Sequence, residues 1–142
     1  MGMNILAVTD DHQCIAVIST AIHLRWPNSG EAIFLSEPEQ AFNLDLKEFD
    51  TIIFDGMFKD LAVYVINSIR KLSVIPLLYL ADPSEDQMDT AEILAFEKTD
   101  YLFKPLQLGD LISVIEANAQ CNEEMLSLHA WLPSPNKVES CN

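Results

Sequence analysis

A chain of 142 residues with 49% hydrophobic side chains can cover one core of ordinary size, so one domain is expected in it rather than two. The formal net charge of −14 and a pI near 4.3 would repel nucleic acid and anionic lipid, which leaves basic or apolar protein patches as the expected partners. Cys14, Cys121 and Cys141 are odd in number, far apart and without CxxC or histidine neighbours at ligand spacing, so neither a disulfide framework nor zinc is indicated. Free thiols fit a reducing cytoplasm, and no apolar run approaches the ~20 residues of a membrane span. The opening MGMNIL has neither a charged leader region nor a hydroxyl residue suited to myristoylation. A soluble cytoplasmic protein is expected.

In chain order, the run Met3 to Val8 reads as a buried strand and is followed by Asp10-Asp11. Ile15, Ile18, Ile22 and Trp26 then mark a first helix. The run Ala32 to Leu35 reads as a second strand, and Ser36-Glu37-Pro38-Glu39 as a capping box opening a second helix. The run Thr51 to Phe54 is a third strand ending at Asp55, with Gly56 available for a turn, and Leu61, Val65, Ile69 and Leu72 mark the next helix. The run Leu77 to Leu80 is a fourth strand, after which Ser84-Glu85-Asp86-Gln87 is a second capping box. The run Tyr101 to Phe103 is a fifth strand, followed by Lys104-Pro105 and a helix carrying Leu108, Leu111, Ile112 and Ile115. The domain is expected over residues 3–120. Beyond it, residues 121–142 read as a helix extension bearing Met125, Leu126, Leu128, Trp131 and Leu132, then a flexible Pro/Ser/Asn-rich tail.

Alternating strand and helix of this length predicts an α/β fold: a five-stranded parallel sheet, doubly wound as (βα)5, with ligands beyond the carboxyl ends of the strands. That rule gathers Asp10, Asp11, Asp55 and Lys104 on one rim, because each follows directly on its run. A cation would be needed there to offset the repulsion between three carboxylates and an incoming phosphoryl group. Asp10-Asp11 could otherwise cap the first helix, and His12 beside them reads as a solvated first-turn residue.

At this point the sequence resembles the receiver domain of two-component response regulators, over roughly Met3 to Ala119, which implies the flavodoxin-like strand order 2-1-3-4-5 for the sheet. The resemblance implies that Asp55 is the phosphoacceptor and that Mg²⁺ is held by Asp10, Asp11, Asp55 and the backbone carbonyl of Met57. It also implies that Lys104 stabilises the phosphoryl group, that Pro105 is a cis-proline, and that Tyr101 is the aromatic of the switch. Implied partners are a histidine kinase or phosphotransfer protein and an output domain or target protein, with a homodimer possible. The expected role is a signalling domain in a phosphorelay, not an enzyme. A phosphohydrolase reading suffers because FDGMF lacks a second acid two residues after Asp55.

The sequence also departs from the family pattern. Where receivers carry Ser or Thr at the end of the fourth strand, this chain has Ala81. A hydrogen bond to a charged group is worth about 1.5–3 kcal/mol, comparable with a typical allosteric coupling, so the usual switch is expected to be degenerate. GMFKDLAVYV lacks the family's proline and later glycine, and Phe96-Glu97-Lys98-Thr99 lacks the glycine that usually ends the fourth helix. These departures motivate the alternative of a phosphorylation-independent pseudo-receiver serving as a protein interaction module. The acidic run from Asp82 to Asp100 reads either as a docking face for a basic partner or as a solvated helix face.

Overall fold

The five apolar runs pair in parallel in the order β2-β1-β3-β4-β5. They form β1 (Met3–Val8), β2 (Gly30–Leu35), β3 (Thr51–Asp55), β4 (Leu77–Ala81) and β5 (Thr99–Phe103). In the computed structural model, which describes residues 3–28, 30–82 and 98–118, the sheet is flanked by α1 (His12–Arg25), α2 (Asp60–Leu72) and α3 (residues 108–118). The register pairs Val8 with Phe54, Asp55 with Leu80 and Ala81 with Phe103, so the strand ends stand level along one edge. The doubly wound parallel architecture expected from the alternation is the one observed.

Side-chain alternation along the central strands splits the interior into two cores. Ile5, Ala7, Ile53, Leu78 and Leu80 face Ile18, Ile22, Leu111 and Ile115 of α1 and α3. Leu6, Val8, Ile52, Phe54, Leu77 and Tyr79 face Val65, Ile66 and Ile69 of α2 on the other side. Each fully buried side chain of this size contributes about 1.5–3 kcal/mol, which is what fixes the sheet and hence its rim.

The sequence reading fails locally in four places. Strands β2 and β5 are not buried on both faces: each lies at a sheet edge and alternates exposed with half-buried residues. The second crossover is not an α-helix but two 3-10 turns, Pro38–Asn43 and Leu46–Glu48. The first begins at Glu37, not Ser36. The Glu37 N–H donates to the Gln40 side-chain oxygen at 3.2 Å and the Gln40 N–H to the Glu37 carbonyl at 3.1 Å, and Pro38 suits the first position after the cap. On α2, Leu61 and Leu72 are exposed, whereas Ala62, Val65, Ile66 and Ile69 are buried. Spacing of large apolar residues overlooked Ala62, which faces the sheet. The capping box at Ser84, the acidic run between Asp82 and Lys98, and the cluster around Met125 and Trp131 lie outside the described residues.

Two lysines in the segments that lack the family's glycines have a positive φ. Lys59, between the 3-10 turn Gly56–Phe58 and α2, has φ 50° and ψ −122°, and Lys98, just before β5, has φ 53°. A Cβ in these regions costs about 1–3 kcal/mol, a penalty glycine avoids. Lys59 is exposed, so Lys59→Gly is expected to raise stability by about 1 kcal/mol in chemical denaturation; a loss instead would contradict the left-handed conformation.

Candidate functional site

The level strand ends bring three chain-distant residues, Asp11, Asp55 and Lys104, together at the carboxyl edge of the sheet. Asp55 ends β3 in the middle of the sheet and its side chain is 0% exposed. Lys104 follows β5, anchored by its own N–H to the Ala81 carbonyl at 2.8 Å, and the Lys104-Pro105 peptide is cis. Its ammonium lies 2.8 Å from Asp55 Oδ1, 2.9 Å from Asp55 Oδ2 and 3.2 Å from Asp11 Oδ2. Asp11 also caps α1, accepting the Gln13 N–H on Oδ1 at 2.9 Å. One carboxylate thus serves the helix cap with one oxygen and the Lys104 ammonium with the other, so the capping reading of the acidic pair holds for Asp11.

The remaining expected positions are placed as follows. Asp10 is exposed and outside the tight cluster of Asp11, Cys14 and Asp55, whose donor atoms lie within 4.8 Å of one another. Met57 lies in the 3-10 turn after β3, where its N–H donates to Asp55 Oδ1 at 2.9 Å. Ala81 is fully buried at the end of β4. Tyr101 is 39% exposed on the edge strand, packed edge to face against Phe103 with ring centroids 5.2 Å apart. His12 is exposed in the first turn of α1.

Two neighbours of the site carried no recognised signal. Thr9, the residue after β1, is 1% exposed, and its hydroxyl donates to Asp55 Oδ2 at 2.6 Å while accepting the Asp11 N–H at 3.1 Å. A hydroxyl at a strand end, directly before the acids, was the available clue. Cys14, one helical turn after Asp11, places its sulfur 3.5 Å from Asp11 Oδ2. Sequence spacing could not show this, because its partners arrive from β3 and from the α1 cap.

Lys104 and Asp11 support each other electrostatically. Burial alone would lower the Lys104 ammonium, but the hydrogen bond and charge of Asp55, then Asp11, hold it above its ordinary value. Burial alone would raise Asp11, yet the Lys104 hydrogen bond, the Gln13 N–H and the Lys104 charge bring it below the usual carboxylate range. The Cys14 thiol is pushed up to about 12, first by burial and then by the charges of Asp55 and Asp11. At neutral pH it is a neutral thiol and a poor ligand, so the donors available to a cation are carboxylate oxygens.

Those oxygens fit Mg²⁺, which prefers hard oxygen ligands and keeps several waters. The Lys104 ammonium lies between Asp11 and Asp55, so both carboxylates turn an oxygen toward positive charge. Asp11 and Asp55, with Asp10 and the Met57 carbonyl close in sequence, are the groups that would hold such an ion. An open cleft beside them is lined by Asp11, Gln13, Cys14, Asp82, Lys104 and Pro105. No described helix is long and apolar enough to cross a membrane.

Comparison with known proteins gives a consistent fold. No family model matches the chain. It is 26% identical over 124 residues to the nisin biosynthesis regulatory protein NisR of Lactococcus lactis subsp. lactis, covering 87% of this chain and 53% of that protein. The chain therefore spans about half the length of the curated relative it matches. Among solved structures, a response regulator receiver domain protein from Clostridium thermocellum superposes with TM-score 0.71 at 20% identity, over 87% of this chain and 98% of that one. The BeF3-activated DrrB receiver domain gives TM-score 0.68 at 20% identity, over 84% and 99%. NtrX from Brucella abortus gives 0.76 at 14% identity, over 92% of this chain and 29% of that one. The chain has the fold of response-regulator receiver domains.

Proposed function

We propose that the chain is a receiver in two-component signalling that accepts a phosphoryl group on Asp55 with Mg²⁺ bound beside it, from a histidine kinase, a phosphotransfer protein or a small phosphodonor. The observation that carries this reading is the buried Asp55 carboxylate held against the Lys104 ammonium at 2.8 Å, with Asp11 sharing that ammonium at 3.2 Å. Mg²⁺, when bound, supplies charge neutralisation for the phosphoryl oxygens. Asp55 is the nucleophile, oriented by the Met57 N–H. Lys104 is the one donor to Asp55 on a long flexible stem, so it can follow the charge from the carboxylate to the arriving phosphoryl oxygens. The chain acts as a stoichiometric acceptor whose output lies in an attached domain or a partner protein, with no direct contact to nucleic acid. Incubation with acetyl phosphate and Mg²⁺ is expected to add the mass of one phosphoryl group to the wild type, lost with EDTA and abolished in Asp55→Asn. Label retained by Asp55→Asn would place the acceptor elsewhere.

One observation favours a second reading. The end of β4 offers only the buried methyl group of Ala81, so no hydroxyl there can draw the following loop toward a phosphoryl group. A module that binds its partner independently of phosphate would fit that loss, and partner binding unchanged by Asp55→Ala would support it.

A further inference from the structure

Among the described residues the Asp55 carboxylate accepts three hydrogen bonds, from the Met57 N–H on Oδ1 and from Thr9 and Lys104 on Oδ2, and the Lys104 ammonium also stands 2.8 Å from Oδ1. The Thr9 hydroxyl has no freedom within this set. Its proton must point at Asp55, because a carboxylate only accepts, and a lone pair takes the Asp11 N–H. Its backbone is fixed in turn by its own N–H, which donates to the Leu35 carbonyl at 2.9 Å. A buried donor this constrained interacts differently with Asp55 before and after phosphorylation. Toward the free carboxylate it is charge-assisted, and toward the neutral acyl group of a phosphorylated Asp55 it is an ordinary weaker bond.

We infer that Thr9 is a leaving-group donor that shortens the lifetime of the Asp55 acyl phosphate. The inference rests on the acceptor reading above. In hydrolysis the oxygen of a water molecule bonds to phosphorus and the bond between phosphorus and the Asp55 oxygen breaks. The bonding pair stays on that oxygen, regenerating the carboxylate, while inorganic phosphate leaves and one proton passes to solvent. In a loose transition state most of that charge has already reached the carboxylate, so the Thr9 hydrogen bond strengthens on the way to it and lowers the barrier. In formation the carboxylate is charged from the start and its bond to Thr9 is largely kept, so the forward rate changes little.

Formation and decay of the acyl phosphate should therefore separate. With acetyl phosphate and Mg²⁺, Thr9→Val is expected to label at a rate within about twofold of wild type and, after donor removal, to lose its label roughly five- to tenfold more slowly. Thr9→Ser, which keeps the hydroxyl, should decay like wild type. Thr9→Ala is a second hydroxyl-free variant for the case that valine perturbs the fold, with thermal melting as the check on each. A residue that only supports the Asp11 loop would slow labelling and leave decay unchanged. Decay of both hydroxyl-free variants at the wild-type rate or faster would overturn this role alone, whereas a wild type that never labels would overturn it together with the acceptor reading.

Discussion

Lys104→Met is expected to destabilise the fold by about 3 kcal/mol, because it leaves the fully buried Asp55 carboxylate without a counter-charge. The Thr9 hydroxyl and the Met57 N–H would still bond Asp55, but neither carries charge. Asp55→Asn in the same chain should recover most of the loss, since the uncompensated charge is then gone and the two effects share one contact. The deficit of Lys104→Met relative to wild type should also have a defined pH window. The Lys104 ammonium is held above its ordinary 10.5, so its contribution is complete below pH 10.5 and is lost as pH rises through the higher native value. Asp11 is held below its ordinary 3.8, so its share is present above pH 3.8 and is lost as pH falls through the lower native value. Urea denaturation of both proteins at several pH values would show these two losses. A deficit below 1 kcal/mol at neutral pH would mean the pair is not formed as described.

Gly56→Ala is the second substitution with a large expected cost, about 2–4 kcal/mol. A Cβ at this position would stand 2.4 Å from the Tyr79 hydroxyl oxygen, 2.7 Å from its ring carbon Cζ and 2.8 Å from the Leu80 carbonyl oxygen. Tyr79 is 1% exposed between the sheet and α2, and Leu80 is held in the ladder opposite Asp55, so neither can give way cheaply. Expansion here would also shift the 3-10 turn whose Met57 N–H orients Asp55, so phosphoryl acceptance should fall with stability. Gly109→Ala is the control. Its Cβ would meet nothing within 4 Å in α3, and an alanine in a helix should add about 0.5 kcal/mol. Equal stability changes for the two alanines would contradict the close approach at Gly56.

What could be read before the structure was what depends on periodicity and on strand ends. The apolar runs and their alternation with helical spacing define the parallel sheet, and the sheet defines the rim that gathers Asp11, Asp55 and Lys104. What escaped depends on contacts that spacing does not encode. Thr9 carried no signal in the sequence, because its role appears only when β3 is laid beside β1 with Val8 opposite Phe54. Cys14 looked isolated because its neighbours come from a helix cap and another strand. Gly56 was read as a turn residue, yet it has no positive φ, and what excludes a side chain there is the Tyr79 ring below it. Lys59 and Lys98 adopt a positive φ that glycine would take without penalty, so absence of a glycine did not mean absence of such a backbone. The edge strands were overread as buried because a run of apolar residues does not say where in the sheet it will lie.

The most direct measurement is a Mg²⁺ titration followed through backbone amide resonances, with Asp55→Asn in parallel. Saturable shifts confined to residues 9–14, 55–57 and 104, and weakened in Asp55→Asn, are what a divalent site built from the cap of α1 and the end of β3 requires. Shifts that never saturate, or that centre on exposed acids away from the sheet edge in both proteins, would contradict it.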